Sequence, residues 1–445
     1  MANQASNHKQ AIVIGGSLTG LLTARVLSDH FEKVIILERD PVHDVPESRK
    51  GQAQTRHLHG LLANGLIIIK EYFPGIAEEL SAGGAFMGDM GEFIHWYQYG
   101  GHRLKFKSGI ISMSMSRPFL EFHVRRRVLG LPNVTLIDSC AVNELVTSPD
   151  RQQVIGVRVT KRSTENTTEI LEAELVVDAS GRGSSTPKWL ESLGYARPQE
   201  TEVKARIGYA TREYRRTEKD VNKICVEMIS PAAPTEKHGT FLFPIEDGRW
   251  IMTSGGYVGA HPPADEAGLL EFVRTLPAPD IFNIISNTEP LTEIITYKYP
   301  TSLRRHYEKL KRFPEGLLVI GDAVASFNPI YGQGMTSAAM QTRALKNVMK
   351  QNPNLRGLWK SFFKQAAKVV DMPWQLAVGE DFRYPETEGT KPPFTDLINA
   401  YVEKVHKATQ RDPVVYAQFL RVMSLMAAPT SLMSPRIMWR VFMNG

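Results

Sequence analysis

The sequence predicts an α/β protein with a parallel βαβ core. An inserted antiparallel sheet interrupts the core, and a helical C-terminal region follows it. Three observations predict this. Residues 11–14 and 34–37 are apolar throughout, as in strands buried on both faces of a parallel sheet, and the segment between them has helical spacing. The all-apolar style returns at 175–177 and at 317–320. Between about 204 and 300 it gives way to alternating segments, the pattern of antiparallel strands.

The first unit is the most specific. Ala11-Ile12-Val13-Ile14 feeds the turn Gly15-Gly16-Ser17-Leu18-Thr19-Gly20, and an apolar helical pattern follows through Leu21, Leu22, Ala24 and Leu27. The second apolar run ends at Glu38, with Arg39 beside it. This is the layout of a Rossmann-like dinucleotide site: a tight turn, close approach to a pyrophosphate, and a helix N-terminus whose free N–H groups face the anion. Read as G-x-G-x-x-G, the first glycine is Gly15, the third is Gly20, and Ser17 takes the middle position. Glu38 stands where an acid accepts the hydroxyls of a ribose. Gly15, Gly16, Ser17, Gly20, Glu38 and Arg39 are therefore the first cofactor-binding candidates.

The remaining elements follow in chain order. Residues 49–59 are polar and read as a loop, 61–79 have helical spacing, and 83–115 read as a small hairpin. A helix spans Arg117–Leu129, with Pro118 in its first turn. Residues 134–137, 141–147 and 154–160 form a meander, and 175–181 a buried strand running into a turn. The inserted sheet takes strands at 205–214, 224–229, 240–244, 250–257 and 294–299. A buried strand at 316–322 leads through a Pro/Gly turn to a long helix at 335–350, and 355–445 is helical. The expected domains are 1–200 with 300–350 for the dinucleotide, 201–299 with the 83–115 hairpin for the substrate, and 351–445 as the helical region.

Composition excludes several classes. The net charge of +6 is spread along the chain, and the single tight cluster, Arg125-Arg126-Arg127, reads as a solvated helix face. No nucleic-acid partner is expected. The cysteines, Cys140 and Cys225, form no C-x-x-C, so neither a metal site nor a disulfide framework is expected. The first ten residues are polar, with no signal-peptide pattern, and no apolar run approaches the roughly 18 residues of a membrane span. The expected location is cytoplasmic. The Met-rich end, with Met423, Met426, Met433 and Met438, reads as a core helix pair, a lid on an apolar tunnel, or a peripheral membrane contact.

Two further stretches carry chemistry. In Val319-Ile320-Gly321-Asp322, a buried strand ends in a carboxylate at the sheet's carboxyl edge, where it can hold a polyol. Asn328-Pro329-Ile330-Tyr331-Gly332-Gln333-Gly334-Met335 then opens a helix whose dipole stabilises a ring that becomes anionic on reduction. Arg56-His57-Leu58-His59-Gly60 places two imidazoles on a loop, either as hydrogen-bonding groups at a reacting centre or as structural polar residues.

Together with Val177-Asp178-Ala179-Ser180-Gly181-Arg182, these stretches resemble the FAD-dependent monooxygenases of the p-hydroxybenzoate-hydroxylase fold, in a branch like the squalene and polyether epoxidases. The resemblance frames about 1–350. It implies that Gly15, Ser17 and Gly20 bracket the FAD pyrophosphate, that Glu38 holds the adenosine ribose, and that Asp322 holds the ribityl chain. Gly332, Gln333 and Gly334, with Met335 next, would lie against the pyrimidine edge of the flavin. Pro329 would border its oxygen-reacting face, Arg117 would reach the phosphate or ribityl region, and His57 and His59 would lie near the ring. Asp178 and Gly181 belong to a segment serving FAD and nicotinamide. Single-component hydroxylases carry Asp-Gly there. Here Asp178 is followed by Ala179, a form shared with two-component epoxidases, halogenases and prenyl reductases.

The implied activity is oxygenation of an apolar alkene or aromatic ring, by epoxidation or hydroxylation, through a flavin C4a-hydroperoxide formed from O2. Reducing equivalents would come from NAD(P)H directly or through a flavin reductase. A prenyl-chain reductase and a flavin halogenase share the fold, although the W-x-W-x-x-P signature of the latter is absent. A non-catalytic flavin-binding protein is the reading from another class.

Overall fold

The computed structural model describes residues 8–49, 53–162, 167–217 and 226–444. Cys225 and the start of the 224–229 segment lie outside them. The core is a five-stranded sheet in the order Leu317–Val319, Leu175–Asp178, His8–Ile14, Phe31–Leu37, Val134–Ile137, parallel throughout. Its register aligns the carboxyl ends: Ile14 pairs with Leu37 on one side and with Asp178 on the other. Gly15, Glu38 and Ala179 therefore leave the sheet together, beside Ile320 and Gly321.

Val134–Ile137 is the edge strand of this sheet, not part of the meander. The helix Arg117–Leu129 serves as its crossover, and a run this short carries no periodicity that distinguishes the two placements. The meander is instead Cys140–Thr147, Val154–Lys161 and Thr167–Glu172. Residues 61–79 form two helices, Ala63–Tyr72 and Ile76–Ala82, because Pro74 and the left-handed Gly75 (φ +82°) break the run.

The expected 83–115 hairpin is split between two sheets. Phe86–Asp89 pairs with Ile111–Ser114, whereas Ile94–Gln98 joins the inserted sheet, parallel to Val226–Ile229. Asp89 makes the split. Its carboxylate accepts the Gly91 and Ser108 N–H groups at 2.8 and 2.9 Å and turns the chain between the two strands.

The inserted sheet has seven strands, ordered Ile295–Tyr299, Ile207–Arg215, Arg249–Gly256, His238–Ile245, Val226–Ile229, Ile94–Gln98, Gly101–His102. Helices Glu266–Arg274 and Asp280–Ile285 cover its back around the fully buried Trp250. Its front faces the parallel domain. A small sheet of Ala325–Ser326, Ser302–Arg305, Glu200–Lys204 and Glu388–Gly389 ties the two together.

The C-terminal region contains Leu358–Asp381, Thr395–Ala408, Pro413–Met423 and Pro435–Asn444. The first of these buries Phe362, Phe363, Ala366 and Val370 in the same core as the parallel sheet, so one apolar core runs across position 350. The later helices form a second core with Met90, Phe93, Ile94 and Trp96. Among the described residues, no helix is long and apolar enough to cross a membrane.

Candidate cofactor and substrate site

A single cavity of about 1170 Å³ runs from the carboxyl edge of the parallel sheet, past the front of the inserted sheet, to the C-terminal helices. A pocket for one small molecule measures roughly 300–1,000 Å³, so this one has room for a cofactor and a substrate end to end.

The turn at one end is built by close backbone packing. Gly15 has φ +104°, and a Cβ there would meet Ala179 O at 2.7 Å. A Cβ on Gly20 would lie 1.8 Å from Gly15 O, so only glycine lets the helix Leu18–Leu27 seat on the turn. Gly20 thus acts from behind the cavity wall. Ser17 precedes the helix but does not cap it. Its hydroxyl donates to Glu121 at 3.1 Å and accepts from Arg117 at 3.0 Å, which leaves the first N–H groups without a side-chain partner, as an anion requires.

Glu38 is buried at the adjacent strand end. It accepts the Gly16 N–H at 2.9 Å and pairs with Arg49 at 2.8 Å, and Arg49 also pairs with Glu121. Arg39 lines the outer mouth.

Asp322 opens onto the cavity deep inside the protein. Burial raises its pKa, and the charges of Arg117 and Arg182 oppose the rise. Gly332, Gln333, Gly334 and Met335 line the next stretch, where the helix Gly334–Gln351 begins. Gln333 is 2 % exposed, and its amide nitrogen and oxygen both lack a partner among the described residues. A buried amide left unmatched costs about 1–3 kcal/mol per group, so a ligand edge that offers both donors and acceptors belongs there. The pyrimidine edge of a flavin is such an edge. The residues present therefore fit FAD.

Asp178 departs from the expectation of a cofactor contact. It is fully buried, does not line the cavity, and accepts from the Ser180 N–H and from the Ser180, Ser184 and Thr186 hydroxyls. Its carboxylate is spent on shaping the 179–183 loop, of which Ala179, Gly181 and Arg182 line the cavity.

His57 and His59 both line the cavity. The His57 Nδ1 lies 2.8 Å from the Thr211 hydroxyl on the inserted sheet, and its Nε2 is buried without a partner among the described residues. The His59 Nδ1 faces the His57 carbonyl at 2.8 Å, which can only accept, so His59 carries its proton on Nδ1. Burial lowers the pKa of His57 to about 4, and burial with the nearby Arg117 lowers that of His59 to about 3. Both are neutral near pH 7. They act as hydrogen-bonding groups, not as cations.

Pro329 lines the cavity in a turn that residues outside every motif hold in place. The Asn328 amide donates to Asp381 at 2.9 Å, and the Tyr331 hydroxyl donates to the same oxygen at 3.1 Å. The Tyr209 hydroxyl donates to Asn328 Oδ1 at 2.6 Å. Asp381 is 1 % exposed, and burial raises its pKa to about 7 against these hydrogen bonds. It sits at the end of Leu358–Asp381, and the only sequence signal for it was an acid on an otherwise apolar helix face.

Away from the cavity, His95, His102 and Asp280 cluster on the back of the inserted sheet. The two imidazoles stack at 3.9 Å and 8°, so their in-plane lone pairs run parallel instead of meeting at one ion.

No protein-family model matches the chain. Protein Rv3254 of Mycobacterium tuberculosis is 34% identical over 443 residues, spanning 96% of this chain and 92% of that one. The chain belongs to the Rv3254 family. A second relative, kynurenine 3-monooxygenase of Cytophaga hutchinsonii, is 25% identical over 226 residues, covering 48% of this chain and 47% of its own. Among solved structures, the flavin-dependent brominase Bmp2 superposes with a TM-score of 0.69 at 13% identity, over 98% of both chains. PqsL of Pseudomonas aeruginosa, a probable FAD-dependent monooxygenase, gives 0.63 at 16% identity, over 85% of this chain and 98% of that one. This Rv3254-family member thus has the p-hydroxybenzoate-hydroxylase-type fold of FAD-dependent monooxygenases and halogenases.

Proposed function

We propose that this protein is a FAD-dependent monooxygenase that epoxidises or hydroxylates an apolar alkene or aromatic substrate. The unmatched Gln333 amide carries the reading. It stands at a helix start in the same cavity as the 15–20 turn, and beyond it the cavity continues into an apolar chamber. Bound FAD supplies the activation of O2.

The chain's own residues do the rest. The N–H groups ahead of Leu18–Leu27 and the Ser17–Arg117 pair receive the pyrophosphate, Glu38 the ribose and Asp322 the ribityl hydroxyls. The N-terminus of Gly334–Gln351 favours negative charge on the ring edge that Gln333 reads. Phe241, Phe243, Met228, Phe419, Met423 and Leu432 line the chamber and keep water from the reacting face. His57 and His59, both neutral, offer hydrogen bonds without adding charge.

The test is purification, a visible flavin spectrum, and NAD(P)H oxidation with and without an added flavin reductase. A protein that takes up no FAD overturns the reading. Oxidation only with the reductase assigns electron supply to a partner, whereas oxidation without it assigns direct NAD(P)H use.

The chamber reaches the surface near Pro392, Ile398 and Met433, and the helices beside this mouth expose Phe394 (77%), Leu397 (71%), Trp439 (64%) and Phe442 (58%). Lys404 lies over Phe442, and Arg436 is exposed on the outer side of the last helix. Apolar side chains with flanking cations suit an anionic lipid surface. We accordingly propose peripheral membrane contact at this mouth. The double variant Trp439→Ala, Phe442→Ala should lose most co-sedimentation with vesicles containing phosphatidylserine and keep its melting temperature. Undiminished co-sedimentation rejects the contact.

A further inference from the structure

Behind the wall of the apolar chamber lies a buried cation that neither the dinucleotide end nor the flavin edge uses. Arg103 is 4% exposed, and its guanidinium lies 3.7 Å from the ring centre of Trp96 and 4.4 Å from that of Phe419. Among the described residues, no carboxylate pairs with it. Its Nη2 donates to Gln98 at 2.8 Å and to the His406 Nδ1 at 2.7 Å, while Nε and Nη1 have no partner. Replacing such a group by a hydrophobic one is commonly neutral or stabilising, so packing alone does not explain why it stands here.

The contact with His406 supplies a reason. An arginine can only donate, so the His406 Nδ1 must accept, and the ring proton is held on Nε2. Burial, followed by the charges of Arg103 and Arg383, lowers the His406 pKa well below its ordinary value, which keeps the ring neutral. His406 lines the cavity, and among the described residues nothing hydrogen-bonds its Nε2. The chamber therefore presents one oriented N–H donor, polarised from behind by a guanidinium, in a wall that is otherwise mainly apolar.

We propose that His406 is the specificity-determining residue of the chamber and that Arg103 is its positioning residue. The substrate class is an apolar molecule bearing a hydrogen-bond-accepting oxygen, such as a carbonyl, carboxylate or phenolate, which the His406 Nε2–H receives. A hydrocarbon without such an oxygen leaves this donor unmatched on binding and is discriminated against. The inference rests on reading this end of the cavity as the substrate end.

The test compares 2-acetylnaphthalene with 2-isopropenylnaphthalene, which has the same shape with CH2 in place of the oxygen. Binding is measured by calorimetry on the full chain, with and without FAD. The wild type should prefer the ketone by up to about tenfold, the range of one hydrogen bond. His406→Phe should bring the two probes within about twofold, and His406→Gln, which keeps an N–H donor, should recover part of the preference. Equal affinity of the wild type for both probes overturns the proposal, as does failure of the ketone to bind. A preference that survives in His406→Phe also overturns it. The wild-type comparison needs no variant to fold. The FAD-free arm separates failure of this proposal from failure of the flavin reading, because discrimination can persist in a protein that takes up no FAD.

Discussion

Gly20→Ala yields protein without flavin and with a stability loss of about 3 kcal/mol, the upper end of the usual cost of overpacking. The added methyl would lie 1.8 Å from Gly15 O and 2.9 Å from Gly15 C, both backbone atoms that cannot swing aside. The helix Leu18–Leu27 must lift off the turn, which opens the core beneath it and withdraws its N–H groups from the place assigned to the pyrophosphate. Gly334→Ala separates the two effects. Nothing lies within 4 Å of a Cβ at that position, so the fold accommodates it, and alanine has less backbone freedom than glycine to lose on folding. The methyl would instead project into the space assigned to the flavin. Gly334→Ala should therefore keep or raise the melting temperature of the cofactor-free protein and still lose flavin. Flavin content and thermal unfolding, measured on both variants, check this. Flavin retained in Gly20→Ala rejects the role given to the turn.

The second large effect is a pH dependence that Asp381→Asn removes. In the unfolded chain this carboxyl titrates at its ordinary 3.8, and in the fold at about 7. Between these values the fold holds a proton that the unfolded chain has lost, so stability falls as pH rises. The contribution is complete below about 3.8, declines through the interval, and levels off above about 7. From pH 5 to pH 8 the wild type should lose roughly 3 kcal/mol relative to Asp381→Asn, which keeps the oxygen that Asn328 and Tyr331 donate to. Denaturant unfolding of both proteins at the two pH values measures this. Parallel profiles would remove Asp381 as the titrating group and, with it, the account of how the Pro329 turn is held.

The parts of the site legible in the sequence share one property: each is a local backbone device. The 15–20 turn, the carboxylate ending the strand before Asp322 and the glycines opening Gly334–Gln351 are each written within a few neighbouring residues. Asp178 departs from its motif's expectation for the complementary reason. Its position in a motif is local, but its hydrogen bonds to Ser180, Ser184 and Thr186 turn the carboxylate away from the cavity, and composition does not reveal that. Val134–Ile137 shows the same limit at the level of a strand, because its sheet is chosen by a partner a hundred residues earlier.

The sequence by itself determined the βαβ core, the inserted sheet and the helical end, because hydrophobic period and turn chemistry act over short spans. The tertiary structure alone decided that His57 and His59 are neutral, that Asp381 braces the Pro329 turn, and that Arg103 reaches His406 across 303 residues of chain. Protonation and hydrogen-bond direction depend on which groups share a dry enclosure. That is settled only when segments hundreds of residues apart are packed together.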